Sequence, residues 1–308
     1  MLRVSGAISR RVVATILLGM SAASVQPSSR VLASSKDNAD AADKSAQHAT
    51  LKTASATSPD IPFTDYDSDA ERQLLELANQ AREQAGAPLL TLDAGMSRAA
   101  RIHAEAMFAA RQLSHQFDGE LSLPKRLADA TRTQLDREGE NVALDFDAAD
   151  AQRNLMLSPP HRANLLNPDY NVIGLGVVRS GDRLYVVQDF GHALPTYSIA
   201  EVKTQIAETV ERTRREVHQA DLAQQDLPNT DAAACSMAQA DKLGTSPVQQ
   251  LAQRYSVLTY TSLHPQELPD NALPALKSRN LRSFSIGACH ARTETYPTGV
   301  YWVVLLLD

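Results

Sequence analysis

A chain of 308 residues, 43% apolar but only 5% aromatic, has material for two alanine-rich soluble domains of ordinary size. Its formal charge is −6, and the basic residues Arg3, Arg10 and Arg11 sit apart at the start. No basic cluster remains to neutralise phosphates, which excludes nucleic acid and an anionic membrane surface as expected partners.

In chain order, residues 1–23 read as an export signal. The three arginines precede the apolar run Val12 to Met20, and Ser21-Ala22-Ala23 offers small residues for cleavage. Ser9-Arg10-Arg11 partly resembles a twin-arginine signal, with an ordinary basic leader as the plainer reading. The run is short for a bilayer span and no later segment is longer, so stable membrane insertion is not expected. The expected location is periplasmic or secreted. Residues 24–62, rich in Ser, Ala, Asp, Lys and Thr without apolar periodicity, are expected to form a disordered linker, because they bury too little to offset their ordering entropy.

A first domain is expected over 63–195. Acidic residues at Asp67-Ser68-Asp69 suit a helix start, Leu74, Leu77, Ala78, Ala81 and Ala85 recur at helical spacing, and Gly86 and Pro88 stop the run. Asp93 caps a second helix running to about Arg111, with Met96, Ala99, Ala100, His103, Met107 and Ala110 on its buried stripe; His103 is read as a packed core histidine. Residues 116–136 read as a polar loop with a short helical piece from Pro124 to Ala130. Glu138 to Leu144 is extended, which puts Glu138 and Glu140 on one face. Asp147 caps a helix to Leu157, Pro159-Pro160 breaks it, and His161 to Leu166 makes one more turn. Val172–Arg179 and Arg183–Phe190 form a hairpin around Ser180-Gly181-Asp182.

A second, smaller α+β domain is expected over 196–308. Ser198-Ile199-Ala200-Glu201 is a capping box opening a helix that ends before Pro228. A shorter helix runs from Asp231 to Leu243. After Gln249–Leu258 and a proline-punctuated loop, the chain closes on Phe284–Cys289 and the apolar strand Val300–Leu307, whose unbroken run implies burial on both faces. Cys235 and Cys289 are the only cysteines of a chain read as exported. A disulfide between them is expected, with two buried free thiols as the alternative.

Six marks in fixed order give the first domain a family resemblance. They are Asn79 with Arg82, Pro88-Leu89 before Leu92-Asp93, the alanine-rich helix reaching His115, and Gly139-Glu140-Asn141. Ser158-Pro159-Pro160-His161-Arg162-Ala163-Asn164-Leu165-Leu166-Asn167-Pro168 follows, then Ile173-Gly174-Leu175-Gly176-Val177 with Tyr185-Val186-Val187-Gln188-Asp189-Phe190. Over about 68–192 the chain resembles the CAP superfamily (cysteine-rich secretory proteins, antigen 5, pathogenesis-related proteins) in its bacterial SCP-like form. The resemblance implies an α-β-α sandwich and a central cavity lined by two histidines and two acids.

His115, Glu140 and His161 match three of those cavity positions. The second acid falls near Ser158, which has no carboxylate, and Leu155 stands where bacterial relatives usually carry tryptophan. Glu138 on the same strand face could supply the missing charge; the alternative is an exposed acid in a charged loop. His115, His161 and Glu140 form a ligand set used by open zinc sites, so a divalent cation is the expected cofactor, zinc ahead of magnesium or calcium. The resemblance favours a non-catalytic binding module for an apolar ligand, lipid or sterol-like, or for a cation. A metal-dependent hydrolase of the cell envelope and a purely structural or adhesive protein are the alternatives. The expected partner is a small apolar molecule or an envelope component. The second domain is read as a shortened, degenerate copy of the first that has lost the cavity; an unrelated accessory domain is the alternative.

Overall fold

The structure, a computed structural model, describes residues 15–17 and 66–308. The expected linker and all but Thr15–Leu17 of the expected export signal lie outside the described residues. Thr15–Leu17 (β1) pairs antiparallel with β7, introduced below.

In the first half, α1 (Ser68–Ala85) starts where the Asp67 carboxylate accepts from the Ala70 N–H and ends at Gly86, whose φ of 71° is the left-handed conformation that a glycine adopts without cost. β2 (Thr91–Leu92) leads into α2 (Ala94–Ala110), capped by Asp93. Then come α3 (Leu123–Ala130), β3 (Leu135–Asp145), α4 (Ala148–Leu157) and α5 (Pro159–Leu165), and the hairpin β4 (Val172–Ser180) and β5 (Arg183–Ala193). The two prolines that end α4 occupy the first positions of α5, where a missing N–H costs nothing. The sheet order is β2-β4-β5-β3, parallel for the first pair and antiparallel for the rest.

Alternation along the strands gives this sheet two buried faces. Ile173, Leu175, Val177, Val186 and Phe190 pack under α1, α4 and α5 with Leu74, Ala151, Leu155 and Leu165. Val142, Val178 and Val187 meet Ala100, Ala104 and Met107 of α2 on the other face. Gly174 and Gly176 let α2 lie directly on the sheet, since a Cβ at either position would sit within 2.6 Å of the Met96 or Ala100 backbone.

The second half holds α6 (Ile199–Glu216), β6 (Ala223–Gln224), α7 (Thr230–Gln239), α8 (Ser246–Leu251), β7 (Ser256–Ser262), α9 (Ala272–Leu276), β8 (Ser283–Ala291) and β9 (Val300–Leu307). Its four own strands run β6-β8-β9-β7, with β6 and β8 parallel and the others antiparallel. Element order, strand order and strand directions all repeat those of the first half. The helix after Ser198 ends at Glu216, and β6 lies between it and Pro228; one expectation is corrected here. The next helix stops at Gln239 rather than Leu243. Gln249–Leu258 divides between the end of α8 and the start of β7.

The repeat extends to buried polar contacts. Arg82, near the end of α1, sends its Nε–H to the carbonyl six residues on, Pro88, and its other nitrogens to Leu165, Asn167 and Tyr170 carbonyls. Arg214, near the end of α6, does the same to Ala220, also six residues on, and to Leu276 and Ser278. The glycine contacts fix the helix register. Gly176 faces the Ala100–Arg101 backbone and Gly287 faces Thr230, so Asp231 corresponds to Arg101, not to Asp93 as the alanine-rich helix starts suggest.

At these corresponding sites the charges are exchanged. In the first half Glu71 of α1 pairs with Arg101 of α2 and accepts from the Val177 N–H. In the second half Lys203 of α6 pairs with Asp231 of α7, which accepts from the Ala288 N–H. Lys203 precedes Arg214 by the same interval as Glu71 precedes Arg82. The acid has changed helix while the strand N–H it satisfies has stayed.

Cys235 of α7 is bridged to Cys289 of β8, with Cα atoms 5.1 Å apart across 54 residues. Closing a loop of that size restrains the unfolded chain. We expect Cys235→Ser together with Cys289→Ser to cost about 2–4 kcal/mol. Urea unfolding of the oxidised protein against the double variant measures it, and coincident curves would show the bridge to be dispensable.

Candidate functional site

The strand β3 carries the acidic centre. Glu140 projects to the α2 face and lies directly opposite Asp189 of β5 in the sheet register. The corresponding row of the second half is Val257 opposite Leu306, one same-face step beyond the pair Thr259 and Val304. The second half therefore keeps the scaffold and fills this place with apolar side chains.

Glu140 is buried, at 7% exposure, and both carboxylate oxygens are engaged. Oε1 accepts from Nδ1 of His115 at 2.9 Å, and Oε2 accepts from Nη2 of Arg126. Arg126, on α3, also donates to the His115 carbonyl at 3.1 Å and lies 3.2 Å from Oε1 of Glu120. His103 is fully buried beside them. Its Nε2–H donates to the Ser114 carbonyl at 2.8 Å, and Nδ1 faces the Glu120 carboxylate at 2.6 Å. His103 thus fixes the loop that presents His115, as a core histidine would. Asn164 of α5 donates to the Glu140 carbonyl and the Asn141 side chain, which ties α5 and its His161 to the same strand.

Of the four expected residues, the structure pairs two, His115 and Glu140, directly. His161 lies close enough to His115 to feel its charge. Glu138 sits on β3, half-buried; among the described residues its carboxylate makes no hydrogen bond, and its nearest acidic influence is Asp136. Three members were missed. Arg126 hides in a stretch read as surface loop, and Glu120 lies in the same stretch. Asp189 is completely buried, and its signal was available: an acid beside Gln188 inside the otherwise apolar run Leu184 to Phe190.

Burial and neighbours set the protonation of the group. Burial, then the charge of Glu140, pushes the Asp189 carboxyl well above the usual carboxylate range. No N–H or O–H of the described residues reaches either Asp189 oxygen. The Glu140 hydrogen bond raises the His115 pKa, while burial and then the charge of His115 lower that of His161. Burial, then Asp136, raises that of Glu138.

A divalent cation bound by His115, Glu140 and His161 does not fit this arrangement. Nδ1 of His115 and both Glu140 oxygens are already committed to each other and to Arg126, and no trio of His, Cys, Asp or Glu among the described residues is placed to hold a metal. The cleft as built is a hydrogen-bonded cluster of acids, imidazoles and one guanidinium.

Comparison with known proteins places residues 75–190 in register with the profile of the family described as "CAP: Cysteine-rich secretory protein family". Over 122 residues the chain is 34% identical to "Uncharacterized membrane protein YlbC" of Bacillus subtilis (strain 168), covering 39% of this chain and 34% of that one. It is 28% identical over 145 residues to "Uncharacterized protein YkwD" of the same organism, covering 46% and 55%. The chain thus spans about a third and about half the length of these two relatives. Among solved structures, an extracellular protein containing a SCP domain from Bacillus anthracis str. Ames is 28% identical, with 41% of each chain covered and a TM-score of 0.37.

Two expectations follow from the charges. A raised carboxyl pKa means that the folded protein holds the Asp189 proton more tightly than the unfolded chain, so stability falls as pH rises above about 3.9. Asp189→Asn removes that loss: at pH 7.5 the variant should melt no lower than the parent, whereas Asp189→Ala should melt lower. A clearly lower Tm for the asparagine variant would mean an ionised Asp189. The His115 contribution has the same sign, being complete below about pH 6.5 and lost as pH rises through its raised folded value. Glu140→Gln should return the His115 titration, followed by NMR, to the ordinary imidazole range.

Proposed function

Residues 75–190 are a domain of the CAP, or cysteine-rich secretory protein, family, and from that premise we propose that this protein is an exported, non-catalytic binding module for an apolar ligand with an acidic head group. One observation carries the reading. A groove of about 500 Å³ runs between the end of α4 and α5, lined by Met156, Leu157, Pro159, Ala163, Leu166 and Pro168, with Arg162 and Asn167 as its polar members. Leu157 is 75% exposed there, although it ends an otherwise well-packed helix. A contiguous apolar surface of this kind is costly to leave in water and suits an aliphatic ligand. Arg162, in the last turn of α5, is the cation that would meet a carboxylate or phosphate head.

Export is supported by the bridged Cys235 and Cys289, since such bonds persist in oxidising compartments, and by the basic and apolar leader. No helix among the described residues is long and apolar enough to cross a membrane. The groove asks nothing of the histidine and acid cluster, none of whose members lines it.

The test is a titration of the full chain with dansyl-labelled undecanoic acid, with unlabelled oleate as competitor. Saturable one-to-one binding is expected. Because a buried leucine is worth about 1.5–3 kcal/mol, Leu157→Asp should weaken binding about tenfold or more. Arg162→Glu should weaken the acid but leave the corresponding dansyl amide unchanged. Absence of saturable binding, or equal affinity in Leu157→Asp, would overturn the assignment.

A further inference from the structure

A sheet edge that the first half seals with side chains is left open in the second half, where a piece of the leader lies along it. We propose that the outer edge of β7 is the seat of the chain's own apolar leader, so that the folded protein holds its export signal as an added strand and withholds it from membranes.

β3 and β7 are the corresponding edge strands of the two sheets. β3 carries Asp136, Arg137, Glu138, Glu140 and Asp145, and its register with β5 shifts between Leu135 and Arg137. Charge and irregularity both discourage a further strand. Two of its carbonyls are also taken by side chains. The Tyr170 hydroxyl donates to that of Glu138 and Nδ2 of Asn164 to that of Glu140, each at 3.1 Å. These carbonyls are two residues apart, so they share the side of the strand that faces away from β5. Both donors belong to α5 and the segment that follows it.

β7 has none of these guards. Ser256–Ser262 contains neither a charge nor a proline, and it pairs with β9 residue for residue without a shift. The second half has only α9 where the first has α4 and α5, so the helix that supplies Asn164 has no counterpart. Since Val257 corresponds to Glu140, Val257 and Thr259 are the positions whose main-chain N–H and C=O face outward.

Thr15–Leu17 runs antiparallel along this edge, with Thr15 opposite Thr259 and Leu17 opposite Val257. The two outward positions of β7 are thus the two that meet the leader's main chain there. No other strand among the described residues extends the sheet past β7. The connection over residues 18–65 spans on the order of 150 Å when extended, ample to bring the leader to any face of the molecule. The pairing covers two liabilities at once. The run Val12 to Met20 is costly to leave in water, and an uncharged edge is open to a strand of another chain. Main-chain pairing to an edge tolerates many side chains, which suits an apolar leader.

A leader held as a strand is not free to enter a bilayer, so folding and export compete for the same residues. That consequence rests on the export reading; the seat itself does not.

The experiment compares the full chain with its variant Thr15→Pro and Leu17→Pro, which removes both N–H groups that face β7. The substitutions lie outside residues 66–308, and circular dichroism verifies that both halves stay folded. Amide hydrogen exchange at Val257 and Thr259 should be about tenfold or more faster in the variant, with Val304 of β9 unchanged. Equal exchange at Val257 and Thr259 in the parent and a monomeric variant would overturn the seat. If sedimentation shows a monomeric parent and a variant whose edge stays protected only by dimerising, the vacated edge has taken a second copy, which supports it. The folded parent should stay off phosphatidylcholine vesicles in a flotation assay, and flotation with them would overturn the withholding. Failure of the export reading shows separately, as an uncut N-terminus on the chain recovered from expressing cells.

Discussion

A guanidinium buried without any carboxylate partner must find enough carbonyls, and this requirement shapes both halves of the molecule. Arg82 is fully buried and surrounded by main-chain oxygens from the loop after α1, the end of α5 and the approach to β4. Each of those segments leaves a helix or enters a strand, where carbonyls lack helical partners. One planar side chain with five donors therefore fixes how three chain segments meet. Arg214, also buried, repeats the arrangement with fewer partners because the second half has only α9 where the first has α4 and α5. The sandwich can lose a helix and a half without changing its strand order because this anchor is kept.

What the two halves do not share shows where the first spends stability on something else. On the α2 face, the apolar row Val257 and Leu306 corresponds to Glu140 and Asp189. An apolar pair there is what a core selects; two facing acids are what it excludes unless they are paired and hydrogen-bonded. In the first half burial and the charge of Glu140 push the Asp189 carboxyl well above the usual carboxylate range, and Arg126 and His115 compensate Glu140. Paired, buried charges of this kind are kept in one copy and absent from the other, so the fold does not need them.

Much of the frame was legible in the sequence because it rests on local rules. Asp67, Asp93, Asp147 and Ser198 each cap the helix their position announces, and the residues at Gly86 and Pro159-Pro160 end runs as expected. The strands β4, β5, β8 and β9 follow from apolar runs, and the cysteine pair from its scarcity. Short elements were not legible: β2 and β6 have two residues each and exist only through their parallel partners, β4 and β8. The cleft was half legible. His115, Glu140 and His161 stood in motifs, whereas Arg126 sits in a polar stretch where one more arginine carries no signal. Its meaning comes from α3 being folded back over β3, a long-range contact that no local pattern encodes. The alanine-rich helix starts misled the alignment of the halves, since Asp93 and Asp231 look alike in sequence but only Asp231 faces the strand N–H that Glu71 satisfies in the first half.

The exchange at Glu71 and Arg101 against Lys203 and Asp231 explains how two such halves remain separate while packed in one unit. The strand N–H at Val177 or Ala288 needs an acceptor, and either helix can provide it, provided the other helix brings the balancing cation. Either polarity gives a satisfied sandwich. A mixed sandwich, with the first helix of one half over the sheet and second helix of the other, does not. Glu71 would meet Asp231 in one combination and Lys203 would meet Arg101 in the other, each placing like charges at a partly buried contact. Internal repeats are prone to misassembly between equivalent elements during folding. Opposite polarity at one shared position disfavours that exchange without altering the fold, and it leaves the second half free to diverge at its loops.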